Sequence, residues 1–234
     1  MIQNTLFIIL ANFKSHKSAS EIDSYLETIS GVVEENKGKV TTLIAPSTIH
    51  IPQASSFILE KQLDIKLTAQ DVSPFPPGAY TGAVNAYQLK DYQVSYCLVG
   101  HSERRRYFHE TYVEVANKAT ELLSMGITPA ICLAREDIDP QFAVLEDSIQ
   151  NQCLYCFEPP ADIGGTTTAP LDLITDTLSM IRRYTNSPVL YGGSVTADNI
   201  DSLLGLPLDG VLVATASLDP NNFNKIITKA SHAR

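Results

Sequence analysis

Eight times along the chain a short run of strand-forming apolar residues is followed by a stretch with helical spacing. The strand runs are residues 6–11, 42–45, 65–69, 96–99, 128–132, 154–157, 189–191 and 210–214. Helical spacing follows at 18–35, carried by Ile22, Leu26, Ile29 and Val33, and again at 51–60, 86–89 and 112–125, where Gly126 stops it. It resumes from Asp139-Pro140 through Phe142, Leu145 and Ile149, then at 171–184, 196–204 and 221–229. Strands separated by helices must run parallel, because each helix carries the chain back to the same end of the sheet. Eight such units in strict alternation predict an α/β fold in which a parallel sheet closes into a (β/α)8 barrel. An open doubly wound sheet is the other arrangement that the pattern allows. At 234 residues the chain suits one barrel, so residues 1–234 are read as a single domain.

Hydrophobic residues make up 44% of the chain and charged residues 18%, enough apolar material for a large core. The net charge of -9 argues against nucleic acid or an anionic membrane as partner, so an anionic ligand needs a local positive site. The apolar run at 6–10 has no basic flank before it and is too short for a membrane span. It reads as a buried strand, and the protein as cytoplasmic. Cys97, Cys132, Cys153 and Cys156 all lie in apolar, strand-like surroundings as free thiols. The spacing of Cys153 and Cys156 sends them to opposite faces of a strand, unlike a metal or redox turn.

In a barrel of this kind the reactive groups gather at the C-terminal ends of the strands. Four ends carry polar chemistry: Asn12-Phe13-Lys14 after the first, His101 after the fourth, Glu158 after the sixth, and Gly192-Gly193-Ser194 after the seventh. They supply a cation, a hydrogen-bond donor, a carboxylate base and a glycine-rich anion cradle. His101 also stands where a helix begins, and the positive end of that helix disfavours a second positive charge, so a neutral imidazole is expected. Arg104-Arg105-Arg106 follows, as an ion-paired helix start or as a subunit contact.

Ala11-Asn12-Phe13-Lys14, Gly78-Ala79-Tyr80-Thr81-Gly82, Gly100-His101-Ser102-Glu103-Arg104-Arg105, Glu158-Pro159 with Ile163-Gly164, and Tyr191-Gly192-Gly193-Ser194-Val195 resemble the triosephosphate isomerase family, in order and along the whole chain. The resemblance implies a TIM barrel that interconverts glyceraldehyde 3-phosphate and dihydroxyacetone phosphate through an enediolate, with no metal and no organic cofactor. It implies Glu158 as the base, a neutral His101 that polarises the carbonyl, and Lys14 as the cation that stabilises negative charge. This pairing of a base, a neutral histidine and a closing loop is a general pattern of that enzyme class. Asn12 corresponds to the residue that orients Lys14, and Glu103 to the carboxylate beside it. The substrate phosphate falls to backbone amides at Gly164, Ser194, Ala214 and Thr215. The loop 159–168 then reads as a lid that excludes water from the intermediate.

Several positions depart from the family pattern. Ala161-Asp162 stand where the lid usually has Trp-Ala, Ala214 and Thr215 replace glycines, and Cys132-Leu133-Ala134-Arg135 replaces Cys-Ile-Gly-Glu. The Pro159-Pro160 pair, the shortened stretch after the fifth strand and Ala214 resemble the compact archaeal branch of the family. The loop 71–83 resembles one that docks into a neighbouring subunit, with Thr81 reaching across, although Ala83 replaces a glutamate there. The resemblance therefore implies a homo-oligomer, a dimer, with the compact form leaving a tetramer open. Two further readings stand beside the leading one: an isomerase of another small sugar phosphate, and a catalytically retired paralogue that binds without turnover.

Overall fold

A computed structural model describes residues 6–159 and 168–233. Eight parallel strands, β1 (Phe7–Asn12), β2 (Val40–Ala45), β3 (Ile65–Ala69), β4 (Tyr96–Val99), β5 (Thr128–Leu133), β6 (Leu154–Phe157), β7 (Val189–Tyr191) and β8 (Gly210–Val213), pair in sequence order, and β8 pairs back onto β1. The sheet is a closed (β/α)8 TIM barrel, which excludes the open alternative. Closure leaves no sheet edge to protect.

The alternation of side chains along each strand separates two apolar layers. Ile8 and Leu10 of β1, Leu98 of β4, Leu154 and Cys156 of β6, Leu190 of β7 and Leu212 of β8 belong to one buried cluster, which fills the barrel. Phe7, Ile9 and Ala11, the other parity of β1, belong to the second cluster, shared with helix residues such as Ile22 and Leu26. Truncating a fully buried leucine of the inner cluster, such as Leu10, is expected to cost about 2–5 kcal/mol. Cys153 falls in the outer cluster and Cys156 in the inner one, as their spacing predicts, and all four cysteines are free and buried.

The outer layer contains α1 (Ala19–Glu35), α2 (Ile51–Glu60), α3 (Ala86–Lys90), α4 (Ser102–Phe108), α5 (Tyr112–Ser124), α6 (Ile138–Val144), α7 (Asp147–Gln150), α8 (Leu171–Ile181), α9 (Ile200–Leu204) and α10 (Pro220–His232). The first helix starts where Glu21 accepts the backbone N–H of Ser18 at 2.7 Å, and it buries Ile22, Leu26, Ile29 and Val33. Two helices differ from expectation. Leu145 is extended (ψ 130) and splits the stretch from Asp139 to Ile149 into α6 and α7, while Gln150 Nε2 donates to the Leu145 carbonyl at 3.1 Å. The segment 196–204 becomes helical only at Ile200, because Asn199 turns its side chain on the backbone: Oδ1 accepts from Thr196 N–H and Nδ2 donates to the Ser194 carbonyl. No helix among the described residues is long and apolar enough to cross a membrane.

Candidate active site

The barrel's inward parity continues past the last paired residues and sets what stands at its mouth. Asn12 is two residues beyond Leu10, Glu158 two beyond Cys156, and Gly192 two beyond Leu190. Asn12, His101 and Glu158 are all buried, at 3%, 5% and 2% exposure, although each is polar or ionisable. Buried polar groups of this kind need partners, and most of these find them in one another.

Lys14 is the most heavily held. Its backbone is left-handed (φ 49), an unfavourable state for a residue with a side chain, so the surrounding bonds must impose it. Asn12 Oδ1 accepts the Lys14 N–H at 3.0 Å, while Gln70 Nε2 and Ser47 Oγ donate to the Lys14 carbonyl at 2.8 and 3.1 Å. With its backbone pinned, Lys14 sends Nζ to Glu103 Oε1 at 2.7 Å. Asn12 thus holds the Lys14 backbone through this bond.

His101 is the residue that caps α4 (φ -56, ψ 141), and its Nδ1 accepts the Glu103 backbone N–H at 3.2 Å. An accepting Nδ1 carries no hydrogen, so the neutral ring bears its proton on Nε2. That Nε2 lies 3.5 Å from Glu158 Oε1. Two influences oppose each other at this ring. Burial, the largest, favours the neutral form, but the charge and hydrogen bond of Glu158 and the charge of Glu103 outweigh it, displacing the pKa upward from 6.5. The neighbouring carboxylates thus set the direction of the shift.

Glu158 is seated by shape. A Cβ on Gly192 would stand 2.8 Å from Glu158 Cγ and 3.1 Å from Oε1, so only glycine leaves that carboxylate its place. Glu158 Oε2 is buried and makes no hydrogen bond among the described residues. Asn12, Lys14, Glu103, His101 and Glu158 therefore form one continuous string, drawn from β1, the start of α4 and the end of β6.

Ser194 follows β7 with a left-handed backbone (φ 48), and Ala214 and Thr215 follow β8, where a 3-10 turn, Thr215–Ser217, begins. All three lie at the same end of the barrel as Glu158. Gly164 and the greater part of the 159–168 loop lie outside the described residues. Thr81 is exposed in the loop 71–83, whose base is closed by Ser73 N–H donating to the Val84 carbonyl at 2.7 Å. Phe75 and Tyr80 of that loop stack at 4.6 Å and are each 44% exposed. Of the arginine run, Arg104 and Arg105 turn inward to ion pairs and Arg106 lies over Tyr107, which favours the ion-paired reading for the first two.

Sequence reasoning missed Gln70 and Ser47, which hold Lys14, and the second role of Gly192. Gln70 could have been found, since it follows the last residue of β3 as Lys14 and Glu158 follow their strands. The close packing of Glu158 against Gly192, where a Cβ would stand 2.8 Å from Glu158 Cγ, joins residues 34 positions apart, and no local signal announces it.

Comparison with known proteins bears on this geometry. The family model described as "Triosephosphate isomerase" matches residues 7–230. A protein of that name from Ehrlichia chaffeensis is 33% identical, over 97% of this chain and 98% of its own length. Two others of that name, from Mesomycoplasma hyorhinis and Polynucleobacter asymbioticus, are 31% and 32% identical, over 94% and 92% of this chain and 97% and 96% of theirs.

Proposed function

The chain belongs to the triosephosphate isomerase family, and on that premise we propose how its residues interconvert glyceraldehyde 3-phosphate and dihydroxyacetone phosphate. Glu158 takes the proton from the carbon beside the carbonyl and returns it to the neighbouring carbon, passing through an enediolate. His101 donates from Nε2 to the carbonyl oxygen, and Lys14 offsets the negative charge that develops there. The single observation that carries this reading is the string of five residues, in which the base stands 3.5 Å from the donor nitrogen and the cation is fixed at Glu103 by a 2.7 Å contact.

Each member of the string supports one part of the chemistry. Nδ1 is occupied as an acceptor, so Nε2 is the ring atom with a hydrogen to give. Glu158 Oε2 makes no hydrogen bond within the described residues, which leaves lone pairs for a substrate C–H proton. Negative charge on the reacting oxygens is stabilised by groups already in place, so little reorganisation accompanies the step. We further propose that the substrate phosphate lies on backbone amides at Gly164, Ser194, Ala214 and Thr215, with the 159–168 loop closing over it. An alanine amide donates as a glycine amide does, so Ala214 is compatible with this role.

The closed barrel supports reading the chain as one domain. The exposed, stacked Phe75 and Tyr80 support the loop 71–83, with Thr81, as a subunit contact in a homodimer. The absence of a membrane-crossing helix among the described residues is compatible with a cytoplasmic enzyme. A concentration-independent monomer mass in sedimentation would rule out the dimer.

The test of function is a coupled assay of glyceraldehyde 3-phosphate conversion. Rapid formation of dihydroxyacetone phosphate is expected. A folded protein that turns over neither triose phosphate contradicts the proposal.

A further inference from the structure

The backbone around Gly100 leaves the sheet one residue before His101. The β4–β5 ladder ends at Val99 opposite Ile131, and Gly100 then takes a left-handed turn (φ 71) inside the protein. Its N–H and C=O are buried where no strand continues to pair with them, a state that is costly if uncompensated. Two ionisable side chains take both groups. Glu110 Oε2 accepts the Gly100 N–H at 2.9 Å, and Arg105 Nε donates to the Gly100 carbonyl at 2.8 Å. That carbonyl belongs to the peptide group whose nitrogen is His101's own.

Both side chains are themselves anchored. Arg105 donates through Nη2 to Gln141 Oε1 at 2.9 Å and lies over the Tyr112 ring at 4.7 Å, with Asp137 at 3.8 Å. Its guanidinium fills the space a side chain on Gly100 would need, since a Cβ there would stand 2.7 Å from Nη2. Glu110 is buried and uses its other oxygen, Oε1, on Lys118, with Arg104 at 3.5 Å. Lys118 and Arg104 are both bonded to Asp71, at 2.6 and 2.8 Å.

We propose that Glu110 and Arg105 are positioning residues for the reaction: they hold the two peptide groups that flank Gly100, one on each side, and so fix the aim and the tautomer of the His101 imidazole. This inference rests on the reading of His101 as the proton donor to substrate. The ring's Nδ1 accepts a backbone N–H only two residues further on, so a tilt of the Gly100–His101 peptide would move the ring away from that bond. An apolar pair in these places would avoid the desolvation of buried charges. Only a fork and a carboxylate offer strong, directed bonds to a stray N–H and C=O.

The test compares wild type with Glu110→Gln, which is close to isosteric, and with Arg105→Lys, which keeps the charge but loses the planar fork, by steady-state kinetics and by 15N signals of the imidazole. In folded variants with the wild-type sedimentation mass, the clamp predicts kcat lower by about ten- to a hundredfold, with KM within about twofold. The His101 signals should change from a single Nε2–H tautomer to a mixture. Wild-type kcat and imidazole signals would overturn the proposal, and so would a fall in kcat with imidazole signals unchanged. If neither variant folds, hydrogen exchange on the wild type decides: the Gly100 amide is expected to exchange as slowly as those of Leu98 and Val99, and fast exchange overturns the clamp. The imidazole and amide signals do not depend on triose phosphate turnover, so failure of the functional reading is distinguishable from failure of the clamp.

Discussion

Lys14 and Glu158 stand at the same barrel mouth and are held in opposite ways. Lys14 has its N–H taken by Asn12, its carbonyl by Gln70 and Ser47, and its ammonium by Glu103, all within 3.1 Å. Glu158 has one oxygen 3.5 Å from His101, another with no hydrogen bond among the described residues, and a seat defined by the missing side chain of Gly192. The difference agrees with the roles proposed for the two groups. A cation that stabilises a developing charge works best fixed in advance. A base that carries a proton between two carbons must keep free lone pairs and some room, so shape takes over from hydrogen bonds.

The contrast breaks most sharply at Gly192. Gly192→Ala puts a methyl group 2.8 Å from Glu158 Cγ, closer than such atoms can approach, and the carboxylate must move. With a misplacement on the order of 1 Å, kcat should fall about a hundredfold in a protein that still melts cooperatively. An alanine variant with wild-type kcat would show that Glu158 is not seated by shape. Gln70→Ala tests the other side. It removes the 2.8 Å bonds to the Lys14 and Ala45 carbonyls, leaving Ser47 alone on the Lys14 carbonyl, and kcat should fall about tenfold. A crystal structure of that variant should show Lys14 leaving its left-handed backbone state; an unchanged backbone with unchanged kcat would mean that Gln70 does not contribute.

A smaller effect concerns pH. The Glu158 charge is the chief influence raising the His101 pKa above 6.5, so Glu158→Gln should lower that pKa, as read by NMR titration. A raised histidine pKa adds stability that is fully present below about pH 6.5 and is lost as pH rises through the folded value. The variant should lose that part of the slope. An unchanged titration would place the source of the shift elsewhere.

The barrel was legible because each strand and helix carries its own period and its own stop. Asn12, Lys14, His101 and Glu158 stood out in the sequence because they lie at or just past strand ends, where polar residues interrupt an apolar pattern, whereas Glu103, in the first turn of α4, was picked out by the family resemblance alone. The break at Leu145 was not, since its apolar spacing with Phe142 and Ile149 is helical and only the bond from Gln150 accounts for the carbonyl the break exposes. Glu110, Lys118 and Asp71 are scattered along the chain, and their convergence beside Gly100 depends on the closed fold. Burial sets Asp71 apart from a surface carboxylate: desolvation, the largest influence, raises its pKa above the ordinary value despite Lys118 and Arg104.

We assign Glu158 as the base, acting beside a His101 that is in place without it, and Glu158→Gln, assayed beside wild type in conversion of glyceraldehyde 3-phosphate, tests this assignment most directly. Turnover is expected to fall by about a thousandfold or more, while the His101 imidazole keeps its Nε2–H tautomer because Glu103 still caps Nδ1. Turnover that survives the substitution would contradict the assignment of the base.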